Sequence, residues 1–149
     1  MRRYFGDKVL RCVALRLQSS LRSETLISRL GADEFAIMDA GLERIEDAAA
    51  MARRLISAVS QPYLIDGQTV TIGASIGIAV GPQDGANTDA LLKNADLALI
   101  GAKSEGRGTF AFFESGMEAL SQARRRLETD LRAAMEANAL EPHYQPLIN

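Results

Sequence analysis

The sequence is poor in residues that build covalently or metal-tied scaffolds: its 149 residues hold one cysteine, Cys12, one histidine, His143, and no tryptophan. One cysteine cannot close an internal disulfide, and one Cys with one His excludes a Cys/His zinc site. Cys12 falls among Val9, Leu10, Val13 and Leu15 on a helical pattern and reads as core packing. His143 precedes Tyr144 in a strand-like run and has no catalytic partner nearby in sequence. An excess of one charge is also lacking. Seventeen Lys and Arg stand against nineteen Asp and Glu, for a net charge of −2 with both signs interspersed. No basic stripe exists to neutralise a nucleic-acid backbone or an anionic bilayer. No apolar run approaches the ~20 residues that span a membrane, and Met1-Arg2-Arg3-Tyr4 lacks the apolar segment of a secretory signal. The expectation is a soluble, cytoplasmic chain with no membrane contact of its own, whatever anchor a longer parent carries.

What is present is the mixture of a globular protein, 47% hydrophobic and 24% charged, at a length that fits one full domain and not two. Apolar residues at helical spacing (Leu10, Val13, Ala14, Leu17, Leu21) predict a first helix from Asp7 to about Leu21, with Asp7 as its N-cap. Leu26–Leu30 and Phe35–Met38 read as strands joined by an acidic hairpin tip. Leu42 to Val59 is an amphipathic helix that stops before Pro62. Tyr63–Ile65 and Val70–Val80 flank the turn dipeptide Asp66-Gly67, and the second run is apolar enough for a central strand whose glycines allow close packing. Asn87 or Thr88 caps a helix that ends at Gly106, and Thr109–Phe113 reads as a strand. A charged helix with Met117, Leu120, Leu127, Leu131 and Met135 on one stripe then runs to about Asn138 and acts as a connector, before a last strand over residues 142–148. Alternating strands and helices without internal repeats predict a layered α/β or α+β sheet.

The sharpest local feature is Arg29-Leu30-Gly31-Ala32-Asp33-Glu34-Phe35, two adjacent carboxylates on a tight turn between apolar strands. Taken alone, it reads as solvated turn residues more readily than as metal ligands. Its surroundings change that. The heptapeptide resembles the Arg-x-Gly-Gly-Asp/Glu-Glu-Phe signature of the GGDEF, or diguanylate cyclase, family. Phe5-Gly6-Asp7 upstream is similar to the family's Gly-Asp at its first helix. Ser75-Ile76-Gly77-Ile78-Ala79, Leu91-Leu92 with Ala95-Asp96 and Ala98-Leu99, and Ala102-Lys103 with Gly106-Arg107 resemble later family blocks in order. The resemblance covers residues 1–113. Beyond a connector at 114–138, Arg126-Leu127-Glu128, Asp130-Leu131-Arg132 and His143-Tyr144-Gln145-Pro146-Leu147 resemble the opening of EAL phosphodiesterase domains, with residues 139–149 as their first strand.

The resemblance implies an α+β fold, a nucleotidyl-cyclase palm-like sheet flanked by helices and here incomplete, followed by the connector helix. It also implies a reaction that condenses two GTP into cyclic di-GMP between two facing domains. Asp33 and Glu34 would be the catalytic and metal-binding pair for Mg²⁺ or Mn²⁺, because attack on an α-phosphate needs hard cations held by carboxylates. Gly31 and Ala32 would lie against GTP, Asp7 would accept from guanine, and Lys103 and Arg107, four apart on one helical face, would hold the terminal phosphates. Each has a plainer reading: Asp7 as a cap, the two cations as solvated charges favoured at a helix C-terminus.

Three departures shape the expected function. The family's strand before Gly6-Asp7, which carries a further metal-binding aspartate, is not within these residues, and Arg3 stands in place of a histidine. Ala32 replaces the signature's second glycine, at a cost of roughly 1–2 kcal/mol if that position takes φ > 0. The inhibitory Arg-x-x-Asp reads Arg22-Ser23-Glu24-Thr25, so only Arg22 remains of it. The expectation is a degenerate GGDEF module with weak or no GTP binding that regulates an attached EAL domain and forms a homodimer. The alternatives are a working cyclase in a full-length parent and a purely structural dimerisation module.

Overall fold

The computed structural model of the chain describes residues 2–137 and 139. They fall into two compact units, 1–114 and 115–149. The first holds α1 (Arg2–Ser20), β1 (Leu26–Arg29), β2 (Phe35–Met38), α2 (Ile45–Val59), β3 (Tyr63–Ile65), β4 (Gln68–Val70), β5 (Ile76–Ile78), α3 (Thr88–Ser104) and β6 (Phe110–Phe112); the second holds α4 (Met117–Glu136). This is the expected α+β mixture of helices and strands.

The core of the first unit follows from two periodicities. Val13 and Leu17 are four apart on α1, Leu55 and Val59 four apart on α2, and Tyr63 and Ile65 two apart on β3, so each pair shares a face. All six are buried against one another, and each is worth about 1.5–3 kcal/mol over exposure. Cys12 packs half-buried on this cluster, as its neighbours in sequence suggest. Arg16 ties α1 to the end of α2: Nη1 donates to the carbonyls of Ala58 at 3.1 Å and Gln61 at 2.5 Å, and Nη2 to that of Pro62 at 3.1 Å. Carbonyls at a helix C-terminus lack intrahelical partners, and here the Ala58 oxygen also accepts from the Gln61 amide at 3.3 Å. The same guanidinium lies 3.6 Å over the Tyr63 ring. Tyr63 has its hydroxyl buried without a hydrogen-bond partner among the described residues, and desolvation raises its pKa despite the nearby Arg16.

Strand pairing is local. β1 and β2 form an antiparallel hairpin with Leu26 opposite Met38 and Arg29 opposite Phe35. β3 and β4 form a second, turning at Asp66 and Gly67 with φ of 51° and 79°, the left-handed pair that the dipeptide suggests. β5 and β6 run parallel, with α3 as the crossover, and Ile76 opposite Phe110. Gly77 makes this packing possible: a Cβ there would lie 2.0 Å from the Ala95 carbonyl oxygen and 2.3 Å from the Leu99 nitrogen. Asn87 caps α3, its side chain accepting from the Ala90 amide at 2.9 Å.

Several expected boundaries are corrected. α1 begins at Arg2, so Asp7 lies inside the helix and caps nothing. α2 begins at Ile45 rather than Leu42, behind Arg44, which provides no side-chain cap. The expected Val70–Val80 strand divides, since the Asp66-Gly67 turn commits residues 68–70, as β4, to pairing with β3, and β5 spans only Ile76–Ile78. The three two-stranded ladders are not joined into one sheet among the described residues.

In the second unit α4 starts behind Gly116, at φ 109°, and buries none of its residues. Its stripe stands open, Leu120 at 72% exposure and Leu127 at 66%. The expected strand at 142–148 lies outside the described residues. No helix among the described residues is long and apolar enough to cross a membrane.

Candidate functional site

The acidic tip sits on the five residues between Arg29 and Phe35, the last register pair of the first hairpin. The Glu34 carbonyl closes the loop by accepting from the Leu30 amide at 2.9 Å and the Gly31 amide at 3.4 Å. From the opposite side Arg29 donates through Nε to the Gly31 carbonyl at 2.9 Å and through Nη2 to the Ala32 carbonyl at 2.7 Å. Asp33 and Glu34 are exposed at the end of this bracket. Neither Gly31 nor Ala32 has φ in the left-handed region, so the alanine carries no backbone strain and the conditional penalty does not arise. A Cβ on Gly31 would meet only Glu34, at 3.5 Å from Oε2, an ordinary contact.

The donor set is right in kind for a hard divalent cation. Mg²⁺ is commonly held by one or two carboxylates, with water and substrate phosphates completing its shell. Asp33 and Glu34 fit that description. Among the described residues no group of three His, Cys, Asp or Glu side chains forms, so Asp7 does not join them.

The other predicted residues are dispersed. Asp7 is exposed on α1. Lys103 occupies the last turn of α3, but the helix ends at Ser104. Gly106 has φ 126° and Arg107 φ 61°, so the chain has left the helix and the two cations do not share a helical face as expected. Arg22 is exposed, and sequence spacing missed the carboxylate beside it. A Cβ on Gly41 would lie 3.3 Å from Asp39 Oδ1 and 3.9 Å from Arg22 Nη1, so both side chains border that one space. Asp39 also accepts from the Thr25 hydroxyl at 3.0 Å and the Gly41 amide at 2.8 Å. Glu24, whose pKa is lowered first by its hydrogen bond from Ser23, also feels the charge of Arg22. Strand pairing, which brings the ends of β1 and β2 together, was the only signal that could have placed Asp39 here.

Fold and hairpin together define an α+β domain that presents two carboxylates on a tight turn. Residues 3–109 match the family described as diguanylate cyclase, GGDEF domain. The bifunctional diguanylate cyclase/cyclic di-GMP phosphodiesterase MucR of Pseudomonas aeruginosa is 43% identical over 145 residues, 97% of this chain and 21% of that protein. The cyclic di-GMP phosphodiesterase NbdA of the same organism is 35% identical over 96% of this chain and 18% of its own length. A solved GGDEF domain of TpbB, also called YfiN, from Pseudomonas aeruginosa superposes with a TM-score of 0.75 at 37% identity, covering 79% of this chain and 69% of that one. The chain belongs to the GGDEF family of cyclic di-GMP signalling domains. It spans about a fifth of the length of the curated relatives it matches.

Proposed function

We propose that the chain is a degenerate GGDEF module that takes up GTP weakly or not at all and regulates an EAL-type phosphodiesterase domain of the same parent protein. The observation that supports this reading is the departure from the signature around an exposed Asp33-Glu34 pair, with Ala32 in place of its second glycine and Thr25 in place of the inhibitory carboxylate. The attached domain is supported by MucR and NbdA, both named as phosphodiesterases and both similar over nearly the whole chain.

Where GTP is taken, Asp33 and Glu34 would hold Mg²⁺ or Mn²⁺, and the ion would supply neutralisation of the triphosphate charge. Lys103 and Arg107 would offer cations to the terminal phosphates, each from its own backbone segment. Asp7 would accept from the N–H groups of guanine, and Gly31 and Ala32 would lie against the nucleotide. The setting is the cytoplasm, with a second copy of the chain and the EAL domain as partners.

Incubation of the chain with GTP and Mg²⁺ or Mn²⁺, followed by nucleotide chromatography, is expected to yield no cyclic di-GMP. Product above an Asp33→Ala, Glu34→Ala control overturns the degenerate reading. In the parent, deletion of residues 1–113 is expected to change the phosphodiesterase rate severalfold, and an unchanged rate removes the regulatory role. The name of MucR favours a second reading, a working cyclase in the longer parent. Product from the parent but not from the chain decides for it. The open stripe of α4 keeps a third, purely structural dimerisation, in view.

A further inference from the structure

Arg29 has no part in the two carboxylates' chemistry, yet it makes two of the contacts that shape their loop. Its Nε and Nη2 reach successive carbonyls, Gly31 at 2.9 Å and Ala32 at 2.7 Å. A guanidinium suits this task because its donors lie in one rigid plane, whereas an ammonium is a single point of charge. Each carbonyl belongs to a planar peptide unit, so holding the Ala32 oxygen also fixes the plane that carries the Asp33 amide. On the far side the Glu34 carbonyl is already pinned by the Leu30 and Gly31 amides. The residues that bear the carboxylates are thereby bracketed from both ends.

The bracket contributes little to the stability of the whole. Arg29, Ala32, Asp33 and Glu34 are all exposed, and the buried cluster lies elsewhere, on α1, α2 and β3. Water competes for exposed bonds of this type, so their effect is on the order of the loop itself. The usual glycine has become Ala32 without strain, and the tip keeps its turn.

We infer that Arg29 is a positioning residue that holds the tip in a form able to present Asp33 and Glu34 together to a cation-bound nucleoside triphosphate. This rests on the GGDEF reading above, and within it selects weak uptake of GTP rather than none. The carboxylates are held ready for the ion.

The test compares the chain with Arg29→Ala and Arg29→Lys. Amide exchange at Leu30 and Gly31, whose N–H groups close the loop on the Glu34 carbonyl, is expected to rise about tenfold in both variants, since lysine restores charge without the planar fork. Exchange in the β3–β4 hairpin and the urea midpoint are expected to stay unchanged. Binding of Mn²⁺ with GTP, followed by water proton relaxation, is expected to be measurable in the wild type and about tenfold weaker in both variants. Unchanged tip exchange in Arg29→Ala, or full rescue by lysine, overturns the positioning role. A wild type with no uptake of Mn²⁺ and GTP overturns the inference as well, while leaving the regulatory reading of the domain standing.

Discussion

Replacing Gly77 with alanine sets a single methyl against the backbone of α3. The added carbon would stand 2.0 Å from the Ala95 oxygen, 2.3 Å from the Leu99 nitrogen and 2.9 Å from the Leu99 Cα, where ordinary contact begins near 3.4 Å. All three are backbone atoms, so no side chain can swing aside; the helix must retreat by more than an ångström. That retreat loosens Ala98 and Ala102, both at 0% exposure. Overpacking of this kind costs about 1–3 kcal/mol, and contact with rigid backbone places it at the upper end. A loss of about 3 kcal/mol lowers the melting temperature of a domain this size by about 10 °C. Gly73→Ala is the control, because a Cβ there meets nothing within 4 Å. Its change is expected within about 0.5 kcal/mol. Thermal melts followed by far-UV circular dichroism decide the matter, and a Gly77→Ala protein that melts with the control refutes the close approach of β5 and α3.

Arg16→Leu is expected to lower urea-unfolding stability by about 2 kcal/mol, since it removes three bonds from a charged donor; a midpoint equal to wild type would show that water serves the Ala58, Gln61 and Pro62 carbonyls as well. Tyr63 supplies a pH test. Its folded pKa is raised above the unfolded value near 10, so the stability it confers is whole below about pH 10 and falls as pH rises through the folded value. Tyr63→Phe should flatten that alkaline limb, and an unaltered limb would assign it to other groups. At the inhibitory-site remnant, calorimetry with cyclic di-GMP is expected to give the same result for wild type and Arg22→Ala, and a micromolar site lost on substitution would contradict this. Leu127→Asp with Leu131→Asp is expected to reduce self-association of the chain by light scattering; a strict monomer before substitution would refute a role for α4 in pairing.

Much of the fold was legible because it rests on local rules. The i, i+4 pairs on α1 and α2, the Asp66-Gly67 turn and the Asn87 cap are each set by a few neighbouring residues, and each appears as expected. Gly77 was also readable, as a glycine inside an apolar strand. Positions decided by distant contacts were not. Apolar composition cannot show that residues 71–75 leave the ladder, because unpaired and paired apolar runs have the same sequence pattern. The spacing of Lys103 and Arg107 places them on one face only in a helix that reaches residue 107, and α3 ends at Ser104. At the candidate site the carboxylates were evident from the signature, whereas the Arg29 bracket depends on backbone carbonyls that no residue type announces.

The separation of core from tip bears on how such a domain can change its role. Val13, Leu17, Leu55, Val59, Tyr63 and Ile65 hold the first unit together, and none of them lies on the hairpin of Asp33 and Glu34. Alanine at position 32 is exposed and unstrained, so a departure from the glycine signature carries no penalty in stability. Ile27, Phe35 and Ile37 pack half-buried on that cluster, so selection for a folded domain holds the strands of the hairpin and leaves the exposed residues 32–34 of its tip to be preserved by their chemistry. On the regulatory reading proposed above, a tip that draws no third carboxylate among the described residues still offers its shape to a partner domain. That shape responds to a ligand only as strongly as two exposed carboxylates can hold one, because a conformational equilibrium moves no further than the difference in affinity between its states allows. Regulation through such a tip is thus expected at high GTP concentration and not at trace levels. A dose-response curve for GTP on the parent's phosphodiesterase rate measures this, and saturation at micromolar GTP would show that the parent completes the site.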